Sequence, residues 1–432
     1  MNITRRTMLR NLSAAGVGMG LAGLGWSRSA VAANERINVA LIGARNMGGK
    51  THLKALVGAS ECQLVAVCDV DKNVLAAAIG SAEKRYGGKT KSGTFSGVKG
   101  YGDFREVMEQ KDIDAVVIAT PDHWHVPIAR AAVLSGKDVY VEKPLSLYVT
   151  EGRALLELAT ERKAMVQVGT QHRSDMRFFT AQAIVKAGML GDIQGVEIKI
   201  PTRSGSGEKW QPETVPPELN YDMWVGPAPF TPYHSKRVHY NFRFVSAFSG
   251  GEITNWGAHY LDSAAQALGK DHTGPVHVEG KGQRHPKGSL HDSFFNIDVH
   301  YRYADGLKMN LKTGKADITI KGSKGTLSFS RGGFKLTPEA LKKSIPKEEA
   351  RALLKTKGTH LGNWFACVKS RRAEDLHAPL SIGHNSAIMC HQANIAMGLE
   401  RPLSWDPEKE QFKGDAEANA MLTRTPREKW KV

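Results

Sequence analysis

The chain has 432 residues, 41% of them hydrophobic and 24% charged, so it is long and apolar enough to bury two cores and is not an intrinsically disordered protein. Its formal net charge is +16, but lysine and arginine are scattered, and the sequence carries no helix-turn-helix, zinc-finger or RNA-binding motif. A nucleic-acid partner is therefore not expected.

Residues 1–32 resemble a twin-arginine export signal. Arg5 and Arg6 precede a weakly apolar, glycine-rich run and the small residues of "SAVAA", although Met8 and Arg10 stand where Phe and Lys are usual. The apolar run is too short to span a bilayer, which needs about 20 residues. We therefore expect a periplasmic or secreted protein that uses the twin-arginine export machinery and has no stable membrane span. A basic N-terminal helix that stays attached is the alternative.

Residues 33–172 alternate between short apolar strands and helical patterns. The predicted strands are "INVALIGA", "CQLVAVCDV", "DAVVIAT", "DVYVEK" and "AMVQVGT", and the segments between them have helical periodicity. Continuous Val/Ile runs bounded by turn residues are typical of strands buried on both faces. The alternation predicts an α/β fold whose N-terminal domain is a Rossmann-type, doubly wound parallel sheet.

Residues 173–403 have a different rhythm. Polar and apolar residues alternate in "VEIKI", "HVEGKG", "SFFNIDVHYRY", "GLKMNLK", "ADITIKG" and "GTLSFS", which is the period of an antiparallel sheet with one face on a core. Helices are predicted at "LGNWFACVKSRR" and "NSAIMCHQANIAMGLE". This part is predicted to be a C-terminal α+β domain with an open, mainly antiparallel sheet, followed by a tail over residues 404–432. The ligand crevice is expected between the two domains.

The four cysteines are predicted to be buried free thiols. Cys62, Cys68, Cys367 and Cys390 form no C-x-x-C pair, and Cys68 falls inside a strand-like run. Cysteine packs well as a small apolar residue, so this interpretation is favoured over a disulfide even in an oxidising compartment.

The segment "ALIGARNMGG" has the strand–turn–helix context of a dinucleotide-binding turn. Gly43 begins a G-x-G-x-x-G pattern and Gly48 ends it, but Arg45 replaces the second glycine. Asp69 ends the next strand, where a carboxylate accepts hydrogen bonds from ribose hydroxyls and repels a 2′-phosphate, which favours NAD over NADP. We expect Arg45 to clamp the phosphates and slow cofactor loss. An ordinary strand–helix turn is the alternative.

Two further segments follow strands at the carboxyl edge of the predicted sheet, where such sheets bind ligands. "IATPDHWH" carries Asp122, His123 and His125; with no further ligands beside it, a cofactor-lining loop is favoured over a metal site. "VYVEKPLS" places Lys143 before a proline, which restricts it to extended geometry and allows a cis bond. A lysine in a crevice can act as an acid or base, whereas an ordinary surface lysine is the alternative.

The segment "GGEITNWGAHYLD" is predicted to lead into a helix. Asn255 and His259 are four residues apart, so on a helix both face one side. Histidine carries protons near neutral pH, and a satisfied core histidine is the alternative.

In this order, "IGARNMGG", "VCDVD", "DIDAVVIATPDHWH", "GKDVYVEKPLS", "YDMWVGPAP" and "GGEITNWGAHYLD" resemble the glucose–fructose oxidoreductase/inositol dehydrogenase family (Gfo/Idh/MocA). The likeness covers about residues 36–422, and the segment that begins "IGHNSAIMC" also resembles secreted bacterial members. The resemblance implies hydride transfer between a sugar, polyol or sugar derivative and NAD, which some relatives hold without release. It also implies that the open sheet mediates a homo-oligomer, either a dimer or a tetramer.

The resemblance further implies a catalytic set of Lys143, His259 and Asn255. Lys143 would hold the reacting hydroxyl and His259 would exchange the proton. Where the family has an acid four residues before this histidine, the chain has Asn255, which can orient the imidazole only through its amide. We therefore expect His259 to be a weaker base and Lys143 to do more of the proton handling.

The predicted cofactor site comprises Gly43, Arg45, Asn46, Met47, Gly48, Asp69, Thr120, Pro121, Asp122, His125, Glu142, Lys143 and Gln171. The predicted substrate site comprises Arg173, Tyr221, Trp224, Arg243 and His259, and no metal is expected. Some relatives oxidise a sugar transiently, eliminate a glycosidic substituent and restore the cofactor, so an NAD-assisted glycosidase or lyase is the alternative to a dehydrogenase. A cofactor-binding protein without turnover is a third interpretation, which only Asn255 supports.

Overall fold

The computed structural model describes residues 36–90, 92–354 and 358–431, so the predicted export signal lies outside the described residues. Among the described helices, none combines the length and the apolar character that a membrane crossing needs. All four cysteines are buried and free, which confirms that prediction.

The first sheet is parallel throughout and has the strand order β3-β2-β1-β4-β5-β6. Its strands are β1 (Ile37–Ile42), β2 (Cys62–Cys68), β3 (Lys99–Tyr101), β4 (Ala115–Ile118), β5 (Asp138–Val141) and β6 (Val166–Val168). The chain reverses its direction of winding between β3 and β4, which confirms the predicted doubly wound sheet. Strands β4 and β5 are buried over their whole length, as their Val/Ile runs predict.

Helices cover both faces of this sheet and begin where the sequence supplies caps. They are α1 (Leu53–Gly58), α2 (Lys72–Gly87), α3 (Phe104–Glu109), α4 (His125–Leu134) and α5 (Val149–Arg162). Asp71 accepts the backbone N–H groups of Asn73 and Val74 at the start of α2, and Asp103 accepts that of Arg105 at the start of α3. The sequence did not predict β3, because three residues with two of them exposed give no apolar run.

The second sheet has nine strands in the order β13-β12-β11-β7-β10-β9-β8-β14-β15, and only the β7–β10 pair is parallel. The strands are β7 (Ile193–Ile200), β8 (His277–Gln283), β9 (Phe295–Arg302), β10 (Lys308–Thr313), β11 (Asp317–Gly322), β12 (Thr326–Ser330), β13 (Gly333–Thr337), β14 (Leu403–Asp406) and β15 (Gln411–Phe412). Along β9, buried and exposed residues alternate, so one face of the sheet is apolar and the other is open. This confirms the predicted open, mainly antiparallel sheet.

The apolar face of the second sheet packs against helices α6 (Met176–Lys186), α8 (Ala258–Leu268) and α11 (Leu380–Leu399). The remaining helices are α7 (Tyr221–Val225), α9 (Lys347–Leu353), α10 (His360–Ser370) and α12 (Ala416–Ala420). Helix α10 packs against the other domain, where Trp364 donates to the carbonyl of Met165 at 3.1 Å. The two sheets therefore share helices and form one continuous body around the space between them.

The last residues of the chain return to the first domain. The boundary predicted after residue 403 falls inside β14, so the predicted tail begins as part of the second sheet. Further on, Arg424 donates to Glu151 at 2.6 Å, and the Trp430 ring packs edge-on against Trp124 with centroids 5.5 Å apart. The segment therefore ties the second domain to helices of the first.

Candidate functional site

A cavity of about 690 Å³ lies between the carboxyl ends of the parallel strands and the second domain. Residues that follow β1, β2, β4, β5 and β6 line one side, and residues of the second domain line the other. This is where open parallel sheets bind their ligands, because the chain switches direction there and leaves a crevice. The cavity therefore lies where the sequence predicts the ligand crevice, between the two domains.

The glycine turn forms the floor of the cavity. Gly43 has φ +83°, and a Cβ there would lie 2.8 Å from the carbonyl carbon of Ala119 on β4's loop. A Cβ at Gly48 would lie 1.9 Å from the carbonyl oxygen of Gly43, so this residue allows the next helical turn to pack on the strand end. The helix starts as a π-helical turn over Gly48–His52 and continues as α1. Gly48 itself does not line the cavity, whereas Gly43, Asn46 and Met47 do.

Asp69 lies beside this turn at the end of β2. Its carboxylate accepts the backbone N–H groups of Ala44 at 2.8 Å and of Asp71 at 3.0 Å, which fixes its direction. Burial raises the pKa of this carboxyl, and the two backbone hydrogen bonds oppose that rise. Each oxygen retains a lone pair for a ligand hydroxyl.

Arg45 has a partner that the sequence did not predict. Its side chain is 49% exposed, and Nη1 lies 3.5 Å from the Asp71 carboxylate, at the same end of the cavity as Asp69. The contact of Arg45 with the cofactor phosphates remains a prediction. To make that contact, the guanidinium would have to leave Asp71.

The loop after β4 is held rigidly. Thr120, Pro121, Asp122 and His125 line the cavity, and the Ser249 hydroxyl donates to Asp122 at 2.6 Å. Both ring nitrogens of His125 lie near carbonyl oxygens, those of Thr120 and Pro144. Within the described residues, no group of three His, Cys, Asp or Glu side chains is placed to hold a metal ion.

Lys143 follows β5 and reaches into the cavity. Its peptide bond to Pro144 is cis, and Nζ lies 2.8 Å from the backbone carbonyl of Asn255 and 2.9 Å from that residue's side-chain oxygen. Burial lowers the pKa of Lys143; Glu142 and Asp122 oppose that effect, and two arginines at the cavity add to it.

Glu142 is held in place by hydrogen bonds with neighbouring side chains. It lies 2.7 Å from His52 Nε2 and accepts the side-chain N–H of Gln171 at 3.0 Å. Burial, the largest single effect, would raise the pKa of Glu142. The hydrogen bond to His52 and the charges of His52, Lys143 and His125 together outweigh it and hold this pKa below its ordinary value. The carboxylate therefore stays charged next to Lys143.

The helix predicted to carry Asn255 and His259 is interrupted between them. Ile253–Gly257 is a π-helical turn, and α8 begins at Ala258. The expectation that Asn255 orients His259 is wrong, because its amide accepts from Lys143 and donates to Glu252 at 2.7 Å. In this turn Asn255 contacts Lys143, and Asn255 and His259 both line the cavity.

His259 presents an unsatisfied nitrogen. It is buried, and its Nδ1 has no hydrogen-bond partner among the described residues. Burial, and then the charge of Lys143, hold the pKa of His259 well below its ordinary value, so the ring is neutral near neutral pH. The cause of this low pKa is burial and the charge of Lys143, and the predicted effect of the Asn255 amide stays a prediction.

Two predicted substrate residues lie outside the cavity. Arg173 is 4% exposed at its side chain and forms ion pairs with Asp262 at 2.8 Å and Asp271 at 2.7 Å, so it holds α8 in place. The Tyr221 hydroxyl donates to the carbonyl of Thr231, and its ring lies inside an aromatic cluster. These two assignments are wrong for a direct contact.

Other predicted and unpredicted residues meet at the substrate end of the cavity. Trp224 and Arg243 line it, as predicted. His172, Trp256 and Arg331 line it as well, and the sequence did not predict them. Arg331 sits in the turn between β12 and β13, where a single arginine in "SRGG" carries no motif, and only the three-dimensional fold brings it to the site.

The family comparisons agree with this architecture. Residues 37–170 match the oxidoreductase family described as an NAD-binding Rossmann fold, and residues 181–432 match the family's C-terminal alpha/beta domain. A WlbA dehydrogenase from Bordetella pertussis, solved in complex with NADH and UDP-GlcNAcA, has the same fold, with a TM-score of 0.62 at 16% identity over 86% of this chain and 99% of that one.

Curated relatives match over shorter stretches. A glycosyl hydrolase family 109 protein 2 of Shewanella sp. (strain ANA-3) is 33% identical over 37% of this chain and 33% of its own length. The inositol 2-dehydrogenase of Rhizobium meliloti (strain 1021) is 30% identical over 38% of this chain and 44% of its own. The chain thus spans less than half the length of these relatives. Together, the two family matches and the cavity geometry establish that this chain belongs to the Gfo/Idh/MocA oxidoreductase family and that its first domain is an NAD-binding Rossmann domain.

Proposed function

We propose that this protein is an NAD-dependent oxidoreductase that interconverts a hydroxyl group of a sugar, polyol or sugar derivative and the corresponding carbonyl. The observation that carries the proposal is Lys143, held by two oxygens of Asn255 in the cavity that the glycine turn also lines. A relative named inositol 2-dehydrogenase supports the substrate class.

The residues present fit NAD. Gly43 has no room for a side chain, and the Asp69 carboxylate is aimed by two backbone N–H groups. Thr120 and Pro121 line the same cavity. When bound, the nicotinamide supplies hydride acceptance from the carbinol carbon, or hydride donation in reverse. The protein must then bind the alcohol, orient it and move one proton.

Lys143 can move this proton in both directions. A neutral amine has two N–H bonds and one lone pair, so both N–H bonds can go to the Asn255 oxygens while the lone pair accepts the substrate hydroxyl proton. A charged ammonium has a third N–H, which can donate to the carbonyl oxygen in the reverse reaction. Asn255 is thus a positioning residue for either form of Lys143.

His259 orients the alcohol from the other side. Its ring lines the cavity with Lys143, and its low pKa means that it meets the substrate as a neutral ring. Burial lowers the pKa of Lys143, which makes its neutral amine more available, and Lys143 carries the net proton.

The test is NADH formation by purified protein with NAD and a panel of hexoses, pentoses, inositols and sugar acids, followed by absorbance. We expect at least one compound to give stoichiometric ketone or lactone and NADH. NAD binding without oxidation of any member, and without reduction of the matching keto compounds, would instead support a binding protein.

The NAD-assisted glycosidase is the second candidate, because curated relatives of this chain are named glycosyl hydrolase family 109 proteins. The discriminating experiment incubates the purified protein with aryl glycosides and no added cofactor. Release of the aglycone without net NADH favours the glycosidase, and a glycoside that stays intact favours the dehydrogenase.

Asp69→Ala is expected to lower the preference for NAD over NADP by roughly tenfold to a hundredfold, because the variant loses a charge-assisted hydrogen bond to ribose and the repulsion of a 2′-phosphate. The ratio of the two kcat/KM values measures this effect. Asp103→Asn is the matched control, since Asp103 caps α3, does not line the cavity and is expected to leave the ratio unchanged. An unchanged ratio in Asp69→Ala would contradict the ribose role.

Arg45→Gly is expected to speed NAD dissociation about tenfold if the guanidinium reaches the phosphates. Stopped-flow displacement gives the rate, and native mass spectrometry gives the fraction of chains that retain NAD, together with the subunit number of the proposed homo-oligomer. An off-rate equal to or below that of the parent would show that Arg45 serves only the ion pair with Asp71.

We also propose export by the twin-arginine route, supported by the pattern of residues 1–32. Replacing Arg5 and Arg6 with lysine is expected to leave most of the protein in the cytoplasm of a bacterial host, as fractionation and immunoblotting would measure. Undiminished periplasmic delivery would contradict this route.

A further inference from the structure

Two arginines at the substrate end of the cavity have no acidic partner. The Arg243 guanidinium lies over the rings of Tyr240 and Phe242, 4.1 Å and 4.8 Å from their centroids, and the Arg331 guanidinium lies 5.4 Å from the Trp256 ring. Within the described residues, no carboxylate forms an ion pair with either group. By contrast, Arg177, Arg203 and Arg45 each pair with one.

Arg331 is aimed by a chain of hydrogen bonds with a defined direction. The Ser263 hydroxyl donates to the carbonyl of His259 at 2.7 Å, so it accepts the Nδ1–H of His172 at 2.9 Å. His172 Nε2 is then bare and accepts the Nε–H of Arg331 at 2.7 Å. The His172 ring is itself fixed by stacking on Phe178, with centroids 4.1 Å apart.

These hydrogen bonds leave the terminal NH₂ groups of the Arg331 guanidinium without a protein partner among the described residues. The Nε–H of Arg331 donates to His172, and the guanidinium carbon lies over the Trp256 ring. The two terminal NH₂ groups therefore remain for a ligand. An oriented guanidinium fork matches the two oxygens of a carboxylate or the oxygens of a phosphate. A neutral hydroxyl would use only part of it.

Both arginines repel the positive charge of Lys143. Lys143, Arg243 and Arg331 lie near enough for both guanidinium groups to lower the pKa of Lys143. Glu142 and Asp122 act on Lys143 in the opposite direction and more strongly, but within the described residues neither carboxylate forms an ion pair with Arg243 or Arg331. A ligand anion between the two arginines would offset this repulsion, whereas a neutral sugar would not.

We propose that the substrate of this site is an anionic sugar or polyol derivative, whose carboxylate or phosphate ester is bound by Arg331 and Arg243 while the hydroxyl to be oxidised lies at Lys143. The proposal rests on the proposed oxidoreductase function and names its substrate class. In the reaction, the carbinol C–H leaves as hydride to the nicotinamide, the hydroxyl proton goes to Lys143, and the anionic group is unchanged.

The experiment uses the NAD-loaded enzyme and matched probes: glucose, glucuronate and glucose 6-phosphate, and the corresponding galactose series. Calorimetry measures binding, and absorbance measures NADH formation. We expect at least one anionic probe to bind roughly tenfold or more tightly than its neutral partner, and the advantage to shrink as salt is added. The carboxylate and phosphate arms show which oxyanion the site takes.

Arg331→Gln and Arg243→Gln are each expected to weaken binding of that anionic probe by roughly tenfold while changing the affinity for NAD less than about threefold. Arg331→Lys keeps the charge without the planar fork and is expected to restore only part of the affinity. Arg162→Gln is the matched control, since Arg162 lies exposed at the end of α5 and does not line the cavity.

The outcomes separate this proposal from the proposed function. Neutral probes that bind as tightly as the anionic ones would overturn the anionic substrate, and their oxidation would leave the oxidoreductase standing. Tight, arginine-dependent binding of an anionic probe that no NADH formation accompanies would support the anion site and count against the oxidoreductase.

Discussion

Lys143→Ala is expected to lower kcat by roughly a thousandfold while the Kd for NAD changes less than about threefold. Burial lowers the pKa of the ε-amine, which increases the fraction that is neutral and able to accept the hydroxyl proton. Its contacts are with Asn255 of the second domain, so its removal leaves the glycine turn and Asp69 intact. Steady-state kinetics and NAD titration by fluorescence measure the two effects separately.

Two matched variants define what is lost. Lys143→Arg keeps a positive charge but cannot release its proton near neutral pH, so it is expected to be almost as inactive as Lys143→Ala. Lys324→Ala removes a lysine outside the cavity and is expected to keep full activity. Full turnover in Lys143→Ala would remove this residue from the mechanism, and a rescued Lys143→Arg variant would show that charge alone suffices.

The sequence predicts the first domain well because its signals are local. The Val/Ile runs of β4 and β5 identify strands that are buried on both faces, and Gly43 marks a turn that only glycine can form. Residues at the ends of these strands meet at one edge because parallel strands all point the same way. Lys143, Asp69 and Thr120 could therefore be assigned to one cavity without knowing any contact between them.

In the second domain, local sequence signals do not predict which side chains contact one another. Arg173 is predicted to line the substrate site, but it forms ion pairs with acids 89 and 98 positions away. Helical spacing places Asn255 beside His259, but Asn255 lies in a π-helical turn and its side chain contacts Lys143 instead. Arg331 comes from a hairpin turn whose position depends on how the whole second sheet packs. These partners are set by tertiary packing, which no local pattern encodes.

Exchanging the acid and the amide at positions 252 and 255 is expected to move the pH dependence of the reaction upward by about one pH unit. In the parent, the Asn255 amide donates to Glu252 at 2.7 Å and offers its oxygen to Lys143. The double variant Glu252→Gln/Asn255→Asp retains an amide–carboxylate hydrogen bond and the same total charge. It moves the negative charge from a neighbour of Asn255 into direct contact with the Lys143 amine.

The sign follows from which form of Lys143 each direction needs. Oxidation needs the lone pair, so kcat/KM rises with pH through the pKa of Lys143 and then levels. A carboxylate in contact stabilises the ammonium and raises this pKa, so the rise is displaced to higher pH. Reduction needs the ammonium as proton donor, so its fall at alkaline pH is displaced in the same direction. The titration of His259 does not overlap this pH–rate profile, because the pKa of His259 lies well below its ordinary value.

The single variants separate charge from geometry. Asn255→Asp alone places two carboxylates 2.7 Å apart in the position of the present hydrogen bond, so part of the new charge is neutralised by a shared proton and the displacement is smaller. Glu252→Gln alone removes the acid without adding one beside Lys143, and it breaks the pairing with Arg203, so any displacement is expected towards lower pH. Superimposable profiles for the parent and the double variant would mean that Lys143 does not carry the titrating proton, since a charge moved into contact with it must change its pKa.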